Sequence, residues 1–360
     1  MSNPSLPPQP QSGQHRRLGL RIKARSSAAF DRPSTALLLL CATVITTLYA
    51  GSINAGEPGR LLHGWPFAAT LLAILGTHEL GHYLLARRNS VRSTLPLFIP
   101  GPPLVGTFGA VIRMRSAVRD RSVLLRIGAA GPLAGAVVAV PLLAVGLALS
   151  SIEPDAAGTQ FMLGDSLLIK YLTDAILGTP PAGYTVYLHP VAFAGWIGLF
   201  VTNLNLFPAG QLDGGHVVYG VLGKHHAKIS RLTFVGLALW GVFGDPAFVS
   251  VWHLLLGTLV CAAALALALQ PAGKVAAARR LRRIYLIAAA AFVVAAMFGE
   301  SFSSTNNWVV WSMIVAMVRL DHPSTVDLQR PPNLRNKLLA AACLVLFVLT
   351  FIPTPFEITG

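Results

Sequence analysis

Residues 65–88 read WPFAATLLAILGTHELGHYLLARR, an apolar block whose second half carries His78, Glu79 and His82 before ending at Arg87 and Arg88. About 20 residues of helix, rising about 1.5 Å each, cross the roughly 30 Å of hydrocarbon in a bilayer. An ionisable side chain at the centre of such a helix costs about 2.5 to 3.5 kcal/mol on insertion scales, so it marks a functional site by default. Nearness to the cytoplasmic end of the block softens that cost without removing it. On a helix, positions i and i+4 share a face, so His78 and His82 can reach one metal ion. Glu79 then lies beside them, placed to accept a proton from water at that ion.

Working outward, further apolar blocks fall at about 34–54, 122–150, 186–207, 231–243, 247–270, 284–299, 305–319 and 337–353. The chain is 54% hydrophobic and only 12% charged, against roughly a quarter charged in ordinary soluble domains, and this points to lipid rather than to a soluble core. Lysine and arginine number 28 against 14 acids. The excess sits in short segments between apolar blocks, where cytoplasmic anchoring accounts for it, and no aromatic-plus-basic motif accompanies it; nucleic acid is excluded as a partner. Cys41, Cys261 and Cys343 all lie within apolar blocks without metal-like spacing and read as small buried hydrophobes.

The basic segments give an orientation. The N-terminal stretch, 87–121, 224–231, Lys274 to Arg283 and Arg319 to Lys337 are all basic, and nine alternating crossings place all five in the cytoplasm. The first block is longer than the apolar region of a secretory signal and follows an overlong polar leader, so it reads as a retained helix. Residues 151–185 are the longest polar connection, too short for a typical domain of about 50 or more residues. No tandem repeat is evident.

A catalytic zinc site usually has three protein ligands and one open position. The strongest candidate for the third is Asp213, in Asn203-Leu204-Asn205-Leu206-Phe207-Pro208-Ala209-Gly210-Gln211-Leu212-Asp213-Gly214-Gly215-His216, where paired glycines let the backbone turn. The second and fourth blocks run the same way, so His78, His82 and Asp213 arrive at one membrane face. A glutamate as third ligand is the competing arrangement. Glu57, Glu153, Glu300 and Glu357 all fall on the opposite face in this topology.

His78-Glu79-Leu80-Gly81-His82 followed by Asn205-Leu206-Phe207-Pro208 and Leu212-Asp213-Gly214-Gly215 resembles the paired signature of the site-2 protease family of intramembrane zinc metalloproteases, over about 65–225. The resemblance implies one Zn2+ per chain held by His78, His82 and Asp213, with Glu79 as general base. It implies that Asn205 helps hold the substrate or the developing oxyanion, a role suited to an amide donor; turn formation beside Pro208 is the competing role. Substrates would be transmembrane proteins cut in or near a membrane-spanning segment, in the cell membrane, with the site toward the cytoplasm. A catalytically silent relative has no reason to keep Glu79, and a transporter needs a polar path bridging both faces.

The expected architecture is an all-α polytopic membrane protein of about nine transmembrane helices, with a short re-entrant strand segment near 104–116. Its divisions are a flexible basic cytoplasmic tail over 1–33, a transmembrane protease core over 34–225, and additional transmembrane helices over 226–360. The extended stretch from Phe108 to Arg115 looks like the family's re-entrant segment, thought to pair with an unwound substrate, or is an amphipathic cytosolic loop. Gly128, Gly131 and Gly135 read as close helix packing. Asn203 reads as a neighbour of the site, His216 as a helix-start or solvent-facing residue, and His225 and His226 as part of a basic turn. His322, in Asp321-His322-Pro323, reads as a residue of the cytoplasmic side, with an approach to the mouth of the site as the lesser alternative. His63, His189 and His253 have no partner visible in sequence. A peptide-binding domain between core helices and a C-terminal nucleotide-sensing domain, found in many family members, find no room here.

Overall fold

All nine apolar blocks fold as helices. The computed structural model describes residues 32–116, 118, 120–155, 160–244, 251–270, 275–298, 304–317, 320 and 332–359. Most of the 1–33 stretch, Glu300 and His322 lie outside the described residues. The helices are α1 (Pro33–Asn54), α2 (Trp65–Arg88), α3 (Arg121–Ala148), α4 (Leu167–Ile176), α5 (Pro190–Asn205), α6 (Asp213–Leu222), α7 (His226–Phe243), α8 (Val251–Ala268), α9 (Val275–Phe298), α10 (Asn307–Met317) and α11 (Leu334–Thr350). Short helices α4 and α6 fall in segments the sequence reads as connections.

By length and composition, α1 with 22 residues and α3 with 28 are long and apolar enough to cross a membrane, while Leu254–Ala268 and Asn307–Met317 are apolar but shorter. Helix α2 is as long, but its two histidines, Glu79 and terminal arginines dilute its apolar character. Large apolar side chains stay exposed along the helices, including Leu38 on α1, Val137 on α3, Leu232 on α7, Ile287 on α9 and Leu344 on α11. Soluble monomers rarely leave apolar surface so extensive. Cys41 is exposed rather than buried as expected, because α1 packs on only part of its circumference; Cys343 is buried and Cys261 partly so.

Helix α3 is the central element, packing against α2, α5 and α6. Small residues let the backbones approach: a Cβ on Gly146 of α3 would lie 2.2 Å from the Ala192 nitrogen of α5, and one on Gly81 of α2 would lie 2.6 Å from the Ala130 carbonyl oxygen of α3. Phe67, Leu71 and Ile74 of α2, Leu143 and Leu147 of α3 and Leu199 of α5 are buried in one apolar cluster. At the start of α3 the Asp120 carboxylate accepts the Ser122 N–H at 2.8 Å, capping the helix.

The expectation of an all-α chain fails in the connections, which form three two-stranded antiparallel sheets among the described residues. The segment near 104–116 is not a lone strand. Strand β2 (Thr107–Val111) pairs with β1 (Leu97–Pro100), with Leu97 opposite Val111 and a register shift between Phe98 and Pro100. The bulge satisfies local backbone groups with side chains, since Thr107 Oγ1 donates to the Ile99 carbonyl and accepts the Gly109 N–H. Thr46 Oγ1 of α1 donates to the Gly106 carbonyl at 2.6 Å and pins the hairpin to the helices. In the 151–185 connection, β3 (Ser151–Pro154) pairs with β5 (Tyr184–Tyr187), while β4 (Gln160–Leu163) pairs with β6 (Phe356–Thr359) from the end of the chain.

Candidate active site

Helix α2 presents His78 and His82 one turn apart, their ring centroids 4.9 Å from each other. The chain leaves α5 at Asn205, turns through 206–212 and starts α6 at Asp213. That start places Asp213 Oδ2 3.1 Å from His78 Nε2 and 3.1 Å from His82 Nε2, across 135 and 131 residues of sequence. Among the described residues, these three form the one group of His, Cys, Asp or Glu side chains able to hold a metal ion, their ligand atoms all within 4.8 Å of one another.

The group fits zinc. Ligand atoms about 2.0 to 2.2 Å from a tetrahedral ion stand roughly 3.3 to 3.6 Å apart, close to the separations seen here, and two imidazoles with one carboxylate are donors zinc accepts. His82 Nδ1 donates to the Ile127 carbonyl at 2.7 Å. That bond fixes the tautomer and leaves the Nε2 lone pair facing Asp213, the arrangement by which outer partners orient a histidine ligand. Among the described residues no competing glutamate joins the group: Glu57 pairs with Arg60 at 3.3 Å and Glu153 accepts from Ser151 at 2.7 Å.

Glu79 is only 7% exposed and has no hydrogen-bond or ion-pair partner among the described residues. A buried carboxylate without a protein partner carries a large solvation cost, and its acceptor capacity remains free for water. Asn205, in the last turn of α5, brings Nδ2 to 3.4 Å from His78 Nε2. Asn203 points elsewhere, donating to the Phe347 carbonyl at 2.9 Å and to Thr350 Oγ1 at 3.1 Å on α11.

The three glycines of α3 do more than bring helices together. A Cβ on Gly131 would lie 2.1 Å from His82 Nε2, and one on Gly135 would lie 3.2 Å from His78 Nδ1. One on Gly128 would meet the His216 Cβ at 2.7 Å. The glycine face clears the volume that the two site imidazoles occupy. A repeat at i, i+3 and i+7 opposite an H-E-x-x-H helix was the signal available in sequence, but the facing partner is visible only in three dimensions. His216 lies in the first turn of α6, as the helix-start reading has it, and is partly buried against α3. His226 is buried, only 1% exposed, and packs edge-on against Tyr219 instead of lying in a solvated turn. His189 gains a partner, its Nδ1 accepting the Val191 N–H at 3.2 Å to cap α5.

Residues 66–242 match Peptidase family M50. The chain is 41% identical over 207 residues to the "Probable zinc metalloprotease EGY1, chloroplastic" of Arabidopsis thaliana, covering 54% of this chain and 37% of that protein. It is 33% identical over 221 residues to the "Probable zinc metalloprotease EGY2, chloroplastic" of the same plant, covering 59% and 39%. Against the "Probable zinc metalloprotease EGY3, chloroplastic" of Oryza sativa subsp. indica it is 28% identical over 243 residues, covering 59% and 40%. The chain thus spans about two-fifths of the length of each of these three relatives. No solved structure matches.

Proposed function

Residues 66–242 are a domain of peptidase family M50, the site-2 protease family, and from that premise we propose that the protein is a zinc-dependent endopeptidase hydrolysing a peptide bond in or near a transmembrane segment of a membrane-protein substrate. The observation that carries this reading is the convergence of His78, His82 and Asp213 from two distant segments, with Glu79 buried beside them.

In this reading His78 Nε2, His82 Nε2 and an Asp213 oxygen hold one zinc ion. Zinc, when bound, supplies a Lewis acid that acidifies water and polarises a carbonyl. Glu79 accepts the proton of the attacking water and returns it to the nitrogen of the departing amine, which keeps the proton inventory balanced. Asn205 donates its amide N–H toward the substrate carbonyl oxygen as charge builds there. The Ile127 carbonyl keeps His82 in one tautomer throughout.

The substrate class follows from where the site lies. Nine helices matching nine apolar blocks, and exposed apolar side chains along them, support a chain embedded in the bilayer with nine crossings. The basic segments beside the site support a cytoplasmic orientation in the cell membrane. A helical substrate hides its carbonyls in its own hydrogen bonds and must open before cleavage. The β1–β2 hairpin supports a way to hold it open: β2 has a strand partner on one edge only among the described residues, and Phe108 and Val111 are exposed.

The test is Glu79→Gln in purified, full-length protein, assayed for zinc and for cleavage of a transmembrane model substrate. The amide keeps the ligands but cannot accept the proton, so zinc stays at one per chain while cleavage falls about 10^2- to 10^4-fold. Undiminished cleavage by the variant would sink the mechanism.

A further inference from the structure

Asp213 is carried by a turn, and that turn is held from outside the helices that bear the rest of the site. Within it Gly210 has φ 56°, in the left-handed region that glycine reaches without strain. Its N–H donates to Ser230 Oγ of α7 at 2.8 Å, and Ser230 is 0% exposed. The first turn of α6 rests directly on this backbone. A Cβ on Gly214 would lie 1.9 Å from the Leu206 carbonyl oxygen, and one on Gly215 would lie 2.9 Å from the Ala209 carbonyl oxygen, which belongs to the same peptide unit as the Gly210 N–H. The Ala209–Gly210 peptide that Ser230 holds therefore lies against Gly215, two residues from Asp213, with no room for a side chain between them.

We infer that Ser230 is a positioning residue for Asp213: its hydroxyl oxygen fixes the Ala209–Gly210 peptide, and the packing of that peptide against Gly215 passes the constraint to the carboxylate. This rests on the proposed reading of Asp213 as a metal ligand. It also gives α7 a part in the site, although α7 contributes no side chain to the group of three. The rest of the turn is held independently, because the Phe207 ring packs against Phe347, Trp308 and Phe351 at centroid distances of 5.1, 5.7 and 6.2 Å. Removing the Ser230 acceptor therefore loosens one buried peptide without releasing the turn.

The experiment measures zinc transfer from full-length, zinc-loaded protein in detergent to a chromophoric chelator, together with the thermal midpoint. Loss of an outer partner of a metal ligand typically costs about 10- to 100-fold in affinity, so Ser230→Ala should release zinc roughly 10-fold faster than wild type. Ser230→Cys, which keeps a weak acceptor, should fall between the two, and it carries the test if the alanine variant folds poorly. Ser312→Ala is the packing control: this equally buried hydroxyl on α10 bonds Tyr285 and the Val309 carbonyl, and its loss should leave the release rate unchanged. Wild-type release from both Ser230 variants overturns the inference, as does equal acceleration by Ser312→Ala. Wild-type release from Asp213→Ala overturns instead the reading of Asp213 as a ligand.

Discussion

Two polar regions lie along α3, one beyond its C-terminal end and one against residues 127–135, and they use their charged groups in opposite ways. Around Ser151 to His189, acids and bases pair locally: Lys170 meets Asp174 at 3.6 Å across one helical turn, and Ser151 donates to Glu153 two residues away. This connection also frames a cavity of about 650 Å3, lined by Leu143, Leu147, Asp165, Lys170, Tyr184 and Trp196 among others. Burial pushes the Asp165 carboxyl above its ordinary range, Lys170 opposing the shift. Against residues 127–135, His78, His82 and Asp213 converge on one point from segments more than 130 residues apart, and buried Glu79 has no hydrogen-bond partner among the described residues. A cavity and a local ion pair mark the first region. Convergence of unlike donors, with room cleared for them, favours the second, and convergence is what chemistry at a metal requires.

The contrast can be broken or sharpened by substitution. The largest effect is expected at Gly131, where an alanine Cβ would enter the His82 ring. Gly131→Ala should abolish zinc binding and cleavage together, as metal analysis and a substrate assay would reveal; a variant with full zinc content would show that α3 yields and that the glycine face is only packing. Next comes Asn205→Ala, predicted to lower kcat about 10^2-fold with zinc retained and KM little changed, as loss of one oxyanion donor does elsewhere. A rise in KM alone would make Asn205 a ground-state contact instead.

Smaller effects should appear away from the site. Asp120→Ala removes the cap of α3 and should cost about 1 kcal/mol of stability, read from denaturant or thermal unfolding, with zinc content unchanged. Lys170→Ala breaks a pair whose side chains are 66% and 41% exposed, so the change should stay under about 0.5 kcal/mol. A large loss at Lys170 would mean that the 151–189 region carries a site of its own.

The convergence of His78, His82 and Asp213 was legible in sequence because its signal is local geometry plus topology. The His78 to His82 spacing needs only the helix period, and Asp213 needs only two blocks running the same way. What could not be read was set by partners far away in the chain. Strand β4 exists because Phe356–Thr359 returns to pair with it, and nothing in Gln160–Leu163 announces that partner. The β1–β2 hairpin was half visible, its second strand marked by an apolar, glycine-bearing run, its first hidden among prolines. Gly128, Gly131 and Gly135 were visible as a small-residue face, but only the fold shows that imidazoles fill the space opposite. Ser230 gave no signal at all, since a serine in the basic 224–231 segment reads the same whether or not a peptide from another turn reaches it.

The most direct test of the central claim compares two aspartates by metal content. Full-length Asp213→Ala and Asp174→Ala would be purified beside wild type and their zinc measured per chain. Convergence predicts one zinc in wild type and in Asp174→Ala, and little or none in Asp213→Ala. One tightly held zinc in Asp213→Ala would contradict the account, because two imidazoles alone would then be holding the ion.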